Sequence, residues 1–147
     1  MTSTTNTPPP FSILGLDHVV LRVGDVSASK AFYCGILGCT LERSVDSIGL
    51  VQLRAGASLI DLIDANTALS KQGSPAPDAA GINMDHFCIR IEPFDPKAIQ
   101  DSLEKNGLAY SETARRYGAD GYGPSVYISD PDGNTVELKG PPDGANV

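Results

Sequence analysis

The chain has 147 residues, of which 41% are hydrophobic and 20% charged, the balance of one soluble globular domain rather than of two. Eighteen acids against 11 bases give a formal charge of −7, and the longest basic run is Arg115-Arg116, so no basic surface for nucleic acid is expected. No apolar run approaches the ~20 residues of a membrane span.

The first ten residues, MTSTTNTPPP, lack the charged and apolar regions of a signal peptide, and with residues 11–13 they read as an extended arm. Leu16 to Val23, LDHVVLRV, alternates and is β-branched, which predicts a strand. Val19, Leu21 and Val23 share one face; His18, Val20 and Arg22 share the other. A helix follows, capped by Ser27 or Asp25, with Ala31, Phe32, Ile36 and Leu37 as its buried stripe and Gly38 as its stop. Strands are expected at Thr40 to Ser44, Gly49 to Arg54 and Ser58 to Asp64, the last two joined by a turn at 55–57. Residues 65–81 read as a long loop.

The pattern then repeats. Met84 to Ile91, MDHFCIRI, restates LDHVVLRV at an offset of 68 residues. His86, Cys88 and Arg90 occupy the face that His18, Val20 and Arg22 occupy in the first copy. Asp95-Pro96 opens a second helix, which Asn106-Gly107 stops. Strands are expected near Ala109 to Thr113, Ser125 to Ser129 and Thr135 to Leu138, with DPDGN at 130–134 as a hairpin turn. The chain is thus an α+β domain over 14–140, built of two βαβββ units at about 14–65 and 82–140, with a tail at 141–147. Side by side, the units predict a curved, mostly antiparallel sheet with helices on its convex face and the His/Arg faces on its concave side.

The only two histidines, His18 and His86, hold matched positions in the two copies. One strand histidine is ordinarily structural. Two at equivalent positions point to ligation of a divalent cation, which takes imidazole nitrogen and carboxylate oxygen. The closing strand of each unit supplies an acid inside an apolar run: Asp61 in SLIDLID and Glu137 in NTVELKG. The alternative for each acid is an edge-strand residue facing solvent. Two neutral histidines and two carboxylates around a dication sum to zero formal charge. A carboxylate that detaches serves as proton acceptor, and Glu137, the longer, is the better placed. Three spaced cysteines, Cys34, Cys39 and Cys88, with no CxxC, point to a reducing cytoplasm rather than to a disulfide framework.

Paired βαβββ units opened by LDHVVLRVGDVSASKAFYCGILG and closed by YISDPDGNTVELKG resemble the vicinal oxygen chelate superfamily, also called the glyoxalase/bleomycin-resistance/dioxygenase superfamily. The resemblance covers roughly residues 14–140. It implies a glyoxalase I-like metal site at His18, Asp61, His86 and Glu137, with Asp61 standing where Glu or Gln is usual. It implies a divalent ion (Zn, Ni, Mn or Fe), a homodimer, and a lyase or isomerase acting on a small oxygenated substrate, thiol adducts included. Arg22 matches a position that contacts the glutathione carboxylate. The corresponding Asn and Lys of that enzyme are missing, Ala65 and Tyr122-Gly123-Pro124 standing there, so glutathione itself is not implied. The stretch from Ala114 to Leu138 also resembles fosfomycin-resistance thiol transferases. Arg115 and Arg116 are candidates for a substrate anion or for loop solvation, and Tyr127 for the cavity wall. A metal-free antibiotic-binding module is the non-enzyme alternative.

Overall fold

The computed structural model describes residues 10, 14–67 and 84–144. Most of the arm, most of the expected loop at 65–81 and the last three residues lie outside the described residues. In the first unit β1 (His18–Val23) leads into α1 (Val26–Lys30), which runs on as a π-helical turn over Ala31–Ile36. Then come β2 (Thr40–Val45), β3 (Leu50–Ala55) and β4 (Ser58–Asp64). The second unit has β5 (Phe87–Arg90), α2 (Pro96–Lys105), β6 (Ala114–Gly118), β7 (Gly121–Ser129) and β8 (Thr135–Lys139). Each unit forms a four-stranded mixed sheet, in the orders β1-β4-β3-β2 and β5-β8-β7-β6. The first strand of each lies parallel to the last, and the remaining pairs are antiparallel. The expected α+β architecture of two βαβββ units is the one observed.

Burial follows the alternation. Leu21 and Val23 of β1, Ile60 and Leu62 of β4, and Val136 and Leu138 of β8 enter one core cluster with Phe32, Tyr33 and Leu103 from the helical segments. One core therefore serves both units, and the histidine-bearing faces are the ones turned away from it. Among the described residues no helix is long and apolar enough to cross a membrane.

Asp25 is the cap of α1, its carboxylate accepting from the Ala28 amide at 3.1 Å, and Asp95 caps α2 in the same way at 3.2 Å. The buried stripe of the first helix departs from expectation. Ala31 faces solvent, whereas Ser29, Phe32 and Tyr33 are buried. The cause is the π turn: the Leu37 amide reaches back five residues to the Phe32 carbonyl at 3.1 Å. That widening lets two consecutive aromatics face inward, and their rings meet edge to face with centroids 4.9 Å apart.

The Tyr33 hydroxyl donates to Asp130 at 2.6 Å. The DPDGN turn thus does more than reverse the chain. The Asp130 carboxylate also accepts from the amides of Asp132 and Asn134, and Asp132 accepts from the Gly24 amide at 3.0 Å. The hairpin of the second unit clasps the helix start of the first.

Residues 109–113, expected as a strand, are not one. The strand is β6, at 114–118, and β7 begins at Gly121, earlier than expected. The Gly- and Pro-rich stretch reads as loop from composition. In the fold it pairs as a ladder, Arg116 with Gly123 and Gly118 with Gly121, with Gly121 at φ 116°.

Candidate metal centre

The first sheet presents His18 at the start of β1 and Asp61 in the middle of β4. Asp61 pairs in register with Val20, so His18 lies diagonally across on the same face. Its Nε2 is 4.0 Å from Asp61 Oδ2. Its Nδ1 is 2.7 Å from Asp17, which fixes the ring and leaves Nε2 turned toward Asp61. That hydrogen bond, with the charges of Asp61 and Asp17 behind it, raises the His18 pKa above the ordinary 6.5. Asp61 is only 3% exposed. Its Oδ2 accepts from Gln52 Nε2 at 2.9 Å, and the Gln52 carbonyl accepts from Arg43. Its Oδ1 is buried with no hydrogen-bond partner among the described residues. A buried, unsatisfied carboxylate oxygen costs free energy unless a cation or donor reaches it.

The second sheet repeats the arrangement. His86 Nε2 lies 3.2 Å from Glu137 Oε1, and its Nδ1 lies 2.6 Å from Asp85. Glu137 is 5% exposed. Tyr127 pairs with Glu137 in the ladder as Gln52 pairs with Asp61. The His86 ring meets the Tyr127 ring at 5.3 Å, edge to face, and the Arg116 guanidinium stacks on Tyr127 at 4.3 Å. Arg116 also donates to the carbonyl and hydroxyl of Ser125 at 2.9 and 2.8 Å. Cys88 pairs with Glu137 across β5 and β8. Desolvation by the surrounding sheet, then the Glu137 charge, push its thiol up to about 11, against the opposing effect of Lys139. A thiol held so far up is protonated at neutral pH and is a poor nucleophile.

Within one chain, therefore, the structure brings together His18 with Asp61 and His86 with Glu137. It does not bring the four into one cluster: no three His, Cys, Asp or Glu side chains group closely enough to hold an ion among the described residues. Both histidines line one cleft of about 990 Å³, whose other walls include Ile36, Phe87, Ile99 and Leu138. The donor chemistry of each pair fits a divalent cation: one imidazole nitrogen, one buried carboxylate, and at Asp61 an oxygen left open. Each pair offers two donors, one imidazole nitrogen and one carboxylate.

The remaining candidates divide. Arg22 shares the His18 face and is exposed, and Arg116 and Tyr127 stand beside His86. Arg115, the other candidate for a substrate anion, does not join them. Strand alternation turns it to the opposite face of β6, where it forks Asp143 at 2.5 and 3.3 Å and stacks on Tyr122. Sequence reasoning missed Gln52, Asp17 and Asp85. The two aspartates carried a signal, since each precedes its histidine in both copies of the repeated phrase. Gln52 carried none, because its role depends on the β3–β4 register.

A family model described as the glyoxalase/bleomycin resistance protein/dioxygenase superfamily matches residues 15–138. Virulence protein STM3117 of Salmonella typhimurium is 30% identical over 127 residues, covering 84% of this chain and 81% of that protein. Its crystal structure superposes with a TM-score of 0.71 at 26% identity, covering 89% of this chain and 99% of that one. The mitochondrial methylmalonyl-CoA epimerase of Bos taurus is 29% identical, over 89% of this chain and 77% of its own length. Metallothiol transferase FosB of Bacillus licheniformis is 27% identical, over 86% and 75%.

Proposed function

Because the chain belongs to the glyoxalase/bleomycin resistance protein/dioxygenase superfamily, we propose that it is a divalent-metal-dependent lyase or isomerase for a small oxygenated substrate. The observation that carries this reading is the pair of matched half-sites, each an imidazole facing a buried carboxylate. We place His18, Asp61, His86 and Glu137 around one ion, which is Zn, Ni, Mn or Fe. Since one chain holds the pairs apart, a twofold homodimer joins the first-unit pair of one protomer to the second-unit pair of its partner. The three free thiols suit a reducing cytoplasm.

A dication held there supplies positive charge where substrate oxygens become negative. The rest falls to the chain. Asp61 is tied by Gln52 and stays a fixed ligand. Glu137 carries one more methylene, and its Oε1 faces His86; it takes a proton from substrate carbon and returns it to the adjacent carbon. The Tyr127 ring and the stacked Arg116 form the wall beside it, and Arg22 meets a substrate anion from the other side. The epimerase among the relatives supports a proton moved on and off carbon.

FosB supports a second reading, addition of a thiol to substrate. The test separates them. The metal-loaded enzyme is assayed with the hemithioacetal of methylglyoxal and a thiol, with methylmalonyl-CoA, and with fosfomycin plus thiol. Chelator-sensitive turnover of either of the first two is expected. Turnover of fosfomycin alone supports the transferase, and no metal uptake at all contradicts both enzymes and leaves a binding module.

Metal retention carries a pH signature. The ion needs a neutral imidazole, and the proton competes for His18, whose pKa stands above 6.5 chiefly through Asp17. Retention is therefore full well above that pKa and falls as pH drops through it, at a higher pH than an isolated histidine dictates. Asp17→Asn removes the main cause and lowers the His18 pKa of the metal-free protein, followed by NMR titration. An imidazole pKa unmoved by that substitution contradicts the role of Asp17 in raising it.

A further inference from the structure

The same face of the second sheet carries a lysine that the proton transfer does not use. Lys139 follows Glu137 by two residues, shares its face, and is only 5% exposed. Its ammonium makes no ion pair or hydrogen bond among the described residues. The stem is buried while the nitrogen keeps access to solvent, since the buried side-chain oxygen or nitrogen without a partner among the described residues is Asp61 Oδ1; an arriving counter-charge can therefore reach the ammonium.

The surroundings are shaped to hold it. A Cβ at Gly118 would stand 2.7 Å from its Cε, and a Cβ at Gly123 would stand 3.1 Å from its Nζ. Two glycines thus leave the groove in which the stem lies. Ser125, the ladder partner of Lys139, takes both hydrogen bonds of Arg116. Arg90, its partner on the other side, pairs with Asp120 in the β6–β7 turn. With the order β5-β8-β7-β6, that ion pair reaches across the strand that bears Lys139. The charges facing the lysine are then accounted for. Asp120 is matched by Arg90 and Glu137 lies against His86, whereas Lys139 and Arg116 have no carboxylate of their own.

We propose that Lys139, with Arg116 beside it, binds an oxyanionic group of the substrate, a carboxylate or a phosphonate. Two residues along a strand span about 7 Å, so this anion lies a few bonds from the oxygens that meet Glu137. The substrate class is a compact organic acid. This rests on the reading that Glu137 marks the reaction centre.

The probes are malonate and phosphonoacetate, titrated calorimetrically into the full-length protein both metal-loaded and chelator-stripped. Both forms are expected to bind at least one of the two anions, and the preferred one identifies the group. Lys139→Met weakens binding at least about tenfold, the scale of one hydrogen bond to a charged group, and keeps wild-type metal content. Gly118→Ala retains the charge but drives a methyl into the lysine stem, and weakens binding too. Lys97→Met, on the exposed face of α2 and paired with Asp101, leaves it unchanged. Wild-type affinity in Lys139→Met, or no binding of either anion to the wild type, overturns the subsite. Lys139-dependent binding by a protein that takes up no metal keeps the subsite and refutes the metal reading instead.

Discussion

Glu137→Gln lowers turnover at least ~100-fold, the usual scale for loss of a general base. The amide keeps the length and the neighbours of the carboxylate. It still pairs in register with Tyr127 and still faces His86. It loses the charge and basicity that let the carboxylate take the proton. Glu137 is also a ligand, so the variant is compared at matched metal content, loaded by excess ion and checked by elemental analysis. Full activity in a metal-replete Glu137→Gln protein excludes Glu137 as the base. The base then has to be sought at Asp61, whose buried Oδ1 has no hydrogen-bond partner among the described residues.

His18→Ala or His86→Ala abolishes metal binding, and turnover falls with it to background. Each histidine is the only imidazole in its half-site, and its Nδ1 is held by the preceding aspartate with Nε2 turned to the acid. Removing either leaves one nitrogen and two carboxylates, a set that binds a borderline cation far more weakly. Asp17→Asn and Asp85→Asn keep the ligand and loosen its orientation, so they cost affinity without removing the site. Outer partners of this kind are worth about 10–100-fold in metal affinity.

Much of the fold, and the pairing of each histidine with an acid, was legible in the chain itself. The repeated phrase located both first strands and both histidines, and period-two alternation set the histidine face opposite Leu21 and Val23. Where reasoning failed, the cause was a neighbour that local pattern does not contain. The π turn buries Tyr33, whose hydroxyl finds its partner in Asp130, 97 residues away. The β6 strand is built from Arg-Arg-Tyr-Gly paired with Gly-Tyr-Gly-Pro, a composition that reads as loop until the two stretches are laid side by side. Arg115 and Arg116 look alike in sequence. One residue of offset sends Arg115 to Asp143 and Arg116 to Tyr127. The separation of the two half-sites within one chain was equally hidden, since spacing places four ligands on faces but not around one point.

The central claim, that one metal site is completed by two chains, is tested by counting metal in a mixed dimer. His18→Ala and His86→Ala protomers are co-expressed with different tags and the heterodimer is purified by both. If the sites span chains, one of its two sites receives both half-sites intact and the other receives both broken. The account predicts about one ion per heterodimer, half the wild-type content, and none in either homodimeric variant. A heterodimer that holds no metal while the wild type does contradicts it, because each site then lies within a single chain.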